Sequence, residues 1–288
     1  MQLSTPVTQD LQGLTVDFST PMLSLGSCFA DELGTRLSRD GFDMLSNPFG
    51  TLYNPLSIAE NLRMAIAGDP LPEDRLVFHD GLWHSWMHHS RFSSPDRDEC
   101  LDRCNQAIQA AHSQLLRHPV VFVTFGTAWV FRHHGRVVAN CHKLPPQHFS
   151  RTRLSVNEIV EAWTPLLALL APIAPHLVFT VSPVRHLADT AHGNQLSKAT
   201  LLLAVDQLIS NSQSYFGSYE ILLDELRDYR FYARDMCHPS DLAADIVYER
   251  FLEACTSPAT RQQALIHRKE SRQSYHKPII PINTTHHE

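Results

Sequence analysis

The chain has no massed basic charge, no long apolar run and no regular cysteine spacing, and each absence removes a class of function. Lysine and arginine number 24 against 30 aspartates and glutamates, for a net charge of −6. Scattered as they are, they offer no electrostatic footprint for nucleic acid or an anionic membrane. The longest apolar stretch, residues 165–174, is too short to cross a bilayer, so no membrane span is expected. Residues 1–17 are acidic and polar, without the cationic and apolar regions of a secretory signal, and a cytoplasmic protein is the expectation. Six cysteines without a repeating pattern fit reduced thiols better than a disulfide framework. Cys100 and Cys104 stand one helical turn apart and read as neighbours on a helix face. There is no Gly-x-x-x-x-Gly-Lys phosphate loop and no His-Glu-x-x-His. Adjacent pairs among the 18 histidines, such as His88-His89, His133-His134 and His286-His287, diverge in a strand and do not easily share an ion. Neither a metal nor a cofactor is expected, and oligomeric state leaves no mark on the sequence.

What is present is an alternation of apolar runs and amphipathic segments. With 288 residues, 43% of them hydrophobic, residues 1–256 suffice for a single domain. Buried strands are predicted at 22–26, 42–45, 120–125, 177–181 and 219–223, each bounded by glycine, proline or polar residues. Helices lie between them. Ser57-Ile58-Ala59-Glu60 and Ser155-Val156-Asn157-Glu158 read as capping boxes, and Ser94-Pro95 as a cap before a proline at the first helical position. Another helix is expected over about 195–215, and Ser240 caps a last one through about Cys255. Strands separated by helices imply parallel pairing. The expected fold is α/β, a flavodoxin-like three-layer α/β/α with a five-stranded, mainly parallel sheet. Such sheets bind ligands beyond the carboxyl ends of their strands, where Ser27 and Gly126 fall. Two hairpins, at about 76–90 turning at Asp80-Gly81 and at about 129–142 turning at His134-Gly135, read as insertions over the sheet rim. Residues 257–288, rich in charge and histidine, read as an extended or disordered tail.

Ser27 follows the apolar run 21–25 in Leu25-Gly26-Ser27-Cys28-Phe29-Ala30, so a hydroxyl stands where a strand breaks at glycine and a helix begins. That is one way a fold presents a nucleophile beside unpaired backbone N–H groups. A nucleophilic serine needs a base and a group that orients the base. Asp235 and His238, three apart before Pro239 and Ser240, could supply both from one turn. Taken on spacing alone, the plainer reading of a solvated turn aspartate and a loop histidine is the better one. Other positions stay open between two roles. Thr127 either bonds backbone at a strand end or faces the pocket; Asn140 and His142 either satisfy and pack their turn or donate into the site. Arg185 either clamps an anionic substrate or pairs on the surface, and His186 either lines the pocket or is a satisfied buried ring. Lys198, opening a helix, reads as solvated. Cys28, Cys141 and Cys237 read as small buried residues rather than thiol nucleophiles.

Several motifs stand in order: Gly26-Ser27-Cys28-Phe29-Ala30, Asn47-Pro48-Phe49-Gly50-Thr51-Leu52-Tyr53-Asn54-Pro55, Thr124-Phe125-Gly126-Thr127-Ala128-Trp129, Asn140-Cys141-His142-Lys143, Ser182-Pro183-Val184-Arg185-His186, and the run from Asp228 to Pro239. Through them the chain resembles the GSCFA family over roughly 20–255, and through that family the SGNH/GDSL hydrolases. The resemblance implies that Ser27 is a nucleophile, that Asp235 and His238 complete a catalytic triad, and that Gly50 contributes an oxyanion N–H beside that of Ser27 or Cys28. It also marks a departure. SGNH enzymes carry Asn in a Gly-x-Asn after the third strand, and here Gly126-Thr127-Ala128 ends in alanine. Loss of one such donor typically costs about 3 kcal/mol in the barrier, and Asn140 and His142 are the residues expected to substitute. The function implied is a serine esterase or acyl hydrolase with a covalent acyl-enzyme on Ser27 and a small-molecule or glycan ester as substrate. The alternative is a ligand- or glycan-binding protein of the same fold that no longer turns over.

Overall fold

A computed structural model describes residues 5–210 and 212–275, apart from the side chains of 272–275. The first half of the chain runs through β1 (Met22–Gly26), α1 (Cys28–Arg39), β2 (Met44–Ser46), α2 (Pro55–Ala67), β3 (Leu76–His79), β4 (Leu82–Ser85) and α3 (Arg97–Leu115). Then come β5 (Val120–Phe125), β6 (Trp129–His133), β7 (Arg136–Val138), β8 (Ser150–Arg153), α4 (Val156–Leu170), β9 (Leu177–Val181), α5 (Thr190–Leu208) and β10 (Gln213–Tyr215). The chain continues into α6 (Ser218–Glu220), which passes into a π-helix over Ile221–Leu226, and then into α7 (Asp241–Cys255) and α8 (Pro258–Tyr275).

Each long central strand feeds two apolar cores, which is why its sequence is apolar without a break. Leu23 and Leu25 of β1 pack with Val121, Val123 and Phe125 of β5 and with Phe179 and Val181 of β9 against α2 to α5. Met22, Val120, Phe122 and Val178 point the other way, into a core shared with α1 and α7. The result is a three-layer α/β/α fold. The central sheet has the order β2-β1-β5-β9-β10 with every pairing parallel, the flavodoxin-like order. The two expected hairpins form at Asp80-Gly81 and His134-Gly135; β8 adds a third strand to the second, pairing antiparallel with β6. No helix among the described residues is long and apolar enough to cross a membrane.

Five local expectations are corrected. Residues 219–223 form no strand but the α6 and π-helix turn, since a short apolar run has the same pattern in a buried helix. The fifth strand is the polar edge segment Gln213–Tyr215, so α5 ends at Leu208 rather than near 215. Helix α2 starts three residues earlier than the Ser57 box suggests, capped by Asn54, whose Oδ1 accepts the Ser57 N–H, with Pro55 at the first helical position. Likewise α3 is capped by Asp96 rather than Ser94. The fifth concerns the tail: Pro258–Tyr275 is helical, while 276–288, including His286-His287, lie outside the described residues.

Helix α8 is held by charge where its composition offers little apolar surface. Asp40, at the end of α1, is fully buried and accepts from Arg268 Nε at 2.9 Å and Nη2 at 2.6 Å, from Tyr248 Oη at 2.9 Å and from Arg39 Nε at 2.8 Å. Arg268 also reaches Glu249 of α7, so one guanidinium ties α1, α7 and α8. Removing Arg268 takes away both of its bonds to Asp40 Oδ2 and leaves the buried carboxylate with Arg39 and Tyr248, a weaker compensation of its charge. Arg268→Met is therefore expected to lower the unfolding free energy by about 3 kcal/mol, read by urea denaturation, and a change under 0.5 kcal/mol, roughly the scale of a surface substitution, would contradict this account of α8.

Candidate functional site

The site begins where β1 ends. Gly26 has φ +144°, and a Cβ there would lie 2.2 Å from Thr124 O, so no other residue lets β1 pass β5 this closely. Its N–H donates to Asn47 Oδ1 at 2.8 Å and its carbonyl accepts the Leu52 N–H at 2.7 Å, tying the strand end to the 47–52 loop. Asn47 is buried, and its Nδ2 donates to Ser27 O at 3.4 Å. Ser27 is consequently fixed as the N-cap of α1, only 1% exposed, with Oγ accepting the Phe29 N–H at 3.3 Å. Its own N–H donates to Thr124 O at 3.2 Å.

Asp235 and His238 do meet. His238 Nδ1 lies 2.6 Å from Asp235 Oδ2, while Asp235 Oδ1 accepts the N–H groups of Cys237 and His238 at 2.9 and 3.0 Å. Those backbone bonds, His238 first, together with the imidazole hold the Asp235 carboxyl well below the usual carboxylate range. The turn closes through Met236 N to Ala233 O and Ala233 N to His238 O, with Met236 at φ +58°, an uncommon conformation for its side chain. Arg185 fastens this turn to the sheet. Its N–H donates to Cys237 O at 2.9 Å, its Nη1 to Met236 O at 3.0 Å, and its guanidinium lies over Tyr232 at 5.2 Å. Because residues 182–186 leave the carboxyl end of β9, the dyad hangs at the sheet edge that carries Ser27. Both dyad side chains are about half exposed, at 51% and 50%, and no hydrogen bond joins His238 to Ser27.

The other sequence-predicted positions divide. Gly126 packs against Ser27: a Cβ at Gly126 would lie 3.3 Å from Ser27 Cβ and 3.0 Å from Tyr53 O. Tyr53 O accepts the N–H groups of both Gly126 and Thr127, at 2.8 and 2.9 Å. The Gly50 N–H donates to Asn47 O at 2.8 Å, so it closes its own turn rather than facing a ligand. Thr127 Oγ1 bonds Ser197 Oγ and the Trp129 N–H. Asn140 and His142 do not reach Ser27. Asn140 donates to Ser90 Oγ and accepts the His142 N–H, whereas His142 bonds Ser85 O at 2.7 Å and Ser90 Oγ at 3.2 Å and stacks on His84. They lock the two hairpins together, and neither takes the place near Ser27 that was expected of it. His186 stands edge-on to Tyr53, and its buried Nε2 has no partner. Burial, and then the Lys198 charge, draw His186 down to about 4. Burial and Asp31 raise the Cys28 thiol, and burial raises Cys141 to about 11, which keeps both protonated and poorly nucleophilic.

Two groups escaped the sequence reading. Lys198 is not solvated but 1% exposed, with Nζ donating to Gly126 O at 2.8 Å and Ser182 O at 2.6 Å. Asp31, in the first turn of α1, has a carboxyl raised by burial in spite of Asn47, Arg91 and His89 nearby. Period-3.6 patterning would have assigned Lys198 to the inner face of α5 between Asn194 and Leu201, both buried; its charge overrode that signal.

A glycine-broken strand end bearing a buried serine, with a carboxylate–imidazole pair on the same sheet edge, is thus set into a three-layer α/β fold. A family model described as the GSCFA family matches residues 21–251, and the chain belongs to that family. No curated protein and no solved structure matches the chain.

The hairpin junction has a consequence for stability. Burial holds His88 at about 3 and His142 at about 4, below the ordinary 6.5. As pH falls below 6.5 the unfolded chain therefore binds protons before the folded one. The stability is present above 6.5 and lost toward pH 4, on the order of 3 kcal/mol for each ring. Urea unfolding at pH 7 and pH 4.5 is expected to show this loss, and His142→Gln to lessen it; an unchanged midpoint would contradict the burial of these neutral rings.

Proposed function

We propose that the chain is a serine hydrolase of the SGNH type that cleaves an ester of a small molecule or glycan. The observation that carries this reading is the Asp235–His238 pair, oriented at 2.6 Å and strapped to the strand edge from which Ser27 emerges. A rotation of the Ser27 side chain exchanges its bond to the Phe29 N–H for one to His238 Nε2. Ser27 Oγ then attacks the ester carbonyl as His238 takes the hydroxyl proton. His238 returns that proton to the departing alcohol, leaving an acyl ester on Ser27, and water activated by the same imidazole hydrolyses it. Asp235 holds the ring and stabilises its charged form. The Cys28 N–H, at the first position of α1 and without an intrahelical acceptor, supports the oxyanion. Six free cysteines fit a reducing cytoplasm.

Binding without turnover is the second reading. Ala128 stands where such hydrolases carry an asparagine, and the N–H groups of Ser27, Gly50, Gly126 and Thr127 are all engaged. Exposure to a fluorophosphonate is expected to label Ser27, with hydrolysis of nitrophenyl acetate lost in Ser27→Ala and reduced about 10⁴-fold in Asp235→Asn. Equal labelling of Ser27→Ala would remove the hydrolase reading, whereas turnover that depends on Ser27 would remove the binding-only reading.

A further inference from the structure

Helix α5 enters the site with two consecutive buried polar residues. Ser197 Oγ accepts the Ala128 N–H at 2.8 Å and pairs with Thr127 Oγ1 at 3.1 Å. Lys198 Nζ spans from Gly126 O to Ser182 O, the main-chain carbonyls at the exits of β5 and β9. A single helical turn thus grips both strand ends. One of them packs against Ser27, and the other carries Arg185, which holds the dyad turn.

The proton inventory of this amine is unusual. A neutral amine has two N–H donors, and Lys198 has two carbonyl acceptors; an ammonium has a third donor, for which the described residues provide no acceptor. Among the described residues no carboxylate pairs with it. The titratable groups facing it are Cys28 from α1, Tyr219 from α6 with its ring 5.8 Å from Nζ, and His186 from the segment after β9, beyond which lies His238. None of them is an anion at neutral pH by its ordinary chemistry. Burial accordingly draws Lys198 down to about 7.

We propose that Lys198 is a positioning residue whose proton count is coupled to the ends of β5 and β9: as an ammonium it holds both carbonyls by charge-assisted bonds, and as an amine by weaker neutral ones. The site then has a source of pH dependence in Lys198, directly behind Gly126. Only the activity arm of the test rests on the hydrolase reading.

The structural arm follows the amide resonances of Gly126 and Thr127 by NMR from pH 5.5 to 9. In the wild-type protein they are expected to titrate with a midpoint near 7, and in Lys198→Met this titration is expected to vanish. Lys198→Arg, which stays charged across the range, is expected to lack it too and serves if the methionine variant does not fold. Amides that do not titrate, or that titrate alike in the variants, overturn the proposal. In the activity arm, phosphonylation of Ser27 in Lys198→Met is expected to slow by roughly tenfold or more and to lose its inflection near 7. A wild-type rate and pH profile in that variant overturn the proposal as well. A wild-type protein that resists the probe at every pH overturns the hydrolase reading alone, since the amide titration needs no turnover.

Discussion

The close approach of β1 to its neighbour β5 at Gly26 is the constraint from which the rest of the site follows. Without a Cβ the strand end can settle against Thr124 O, and the peptide can turn sharply into α1. The same glycine donates to Asn47 and accepts from Leu52, so the second motif of the chain is hung from the first. Tyr53, next along, accepts the Gly126 and Thr127 N–H groups and links the third motif. Three segments far apart in sequence thereby converge on one residue, and Ser27 inherits a position that its own side chain does little to determine.

Around it the electrostatics divide into two zones. The inner zone is dry and poor in anions: Lys198 binds carbonyl oxygens, His186 stays neutral, and the Cys28 thiol stays protonated. The outer zone, at the dyad, is open to water, and there Asp235 is fully anionic because backbone N–H groups and an imidazole surround it. A proton moved from the inner hydroxyl to the outer ring would pass from a low-dielectric to a high-dielectric environment. That gradient favours charge on the imidazole over charge elsewhere in the proposed reaction.

How far the sequence could be read depended on which physical signal each element carried. The strands at 22–26, 120–125 and 177–181 coincide with their sequence-based limits because burial on both faces makes the whole run apolar. The edge strand Gln213–Tyr215 was illegible: it is polar and three residues long, and backbone pairing with β9 defines it. Helix α8 was hidden by its charge, though Ser257, which accepts the Thr260 N–H, and Pro258 repeat the cap-and-proline signature read elsewhere. The Asp235–His238 contact was permitted by a spacing of three in a turn, but spacing alone favoured a solvated aspartate and a loop histidine, and the family resemblance singled the pair out. The pairing of Asn140 and His142 with Ser85 and Ser90 was not foreseeable, because no local pattern announces a bond between two hairpins. Lys198 was misjudged because charge is an unreliable guide to burial where main-chain carbonyls stand ready to receive it.

The turn around Met236 gives the molecule two unequal halves. Ser27 sits where β1 passes into α1, buried and tied to β5 and to the 47–52 loop, whereas residues 227–240 contain one short 3-10 turn, at Tyr229–Phe231, and an isolated bridge between Tyr232 and Pro239. Regions so thinly tied exchange their amide hydrogens by local opening at a small fraction of the global free energy. Warming the protein would therefore loosen the turn that carries the imidazole before the sheet melts, and the Arg185 bonds to Cys237 O and Met236 O are what resist that loosening.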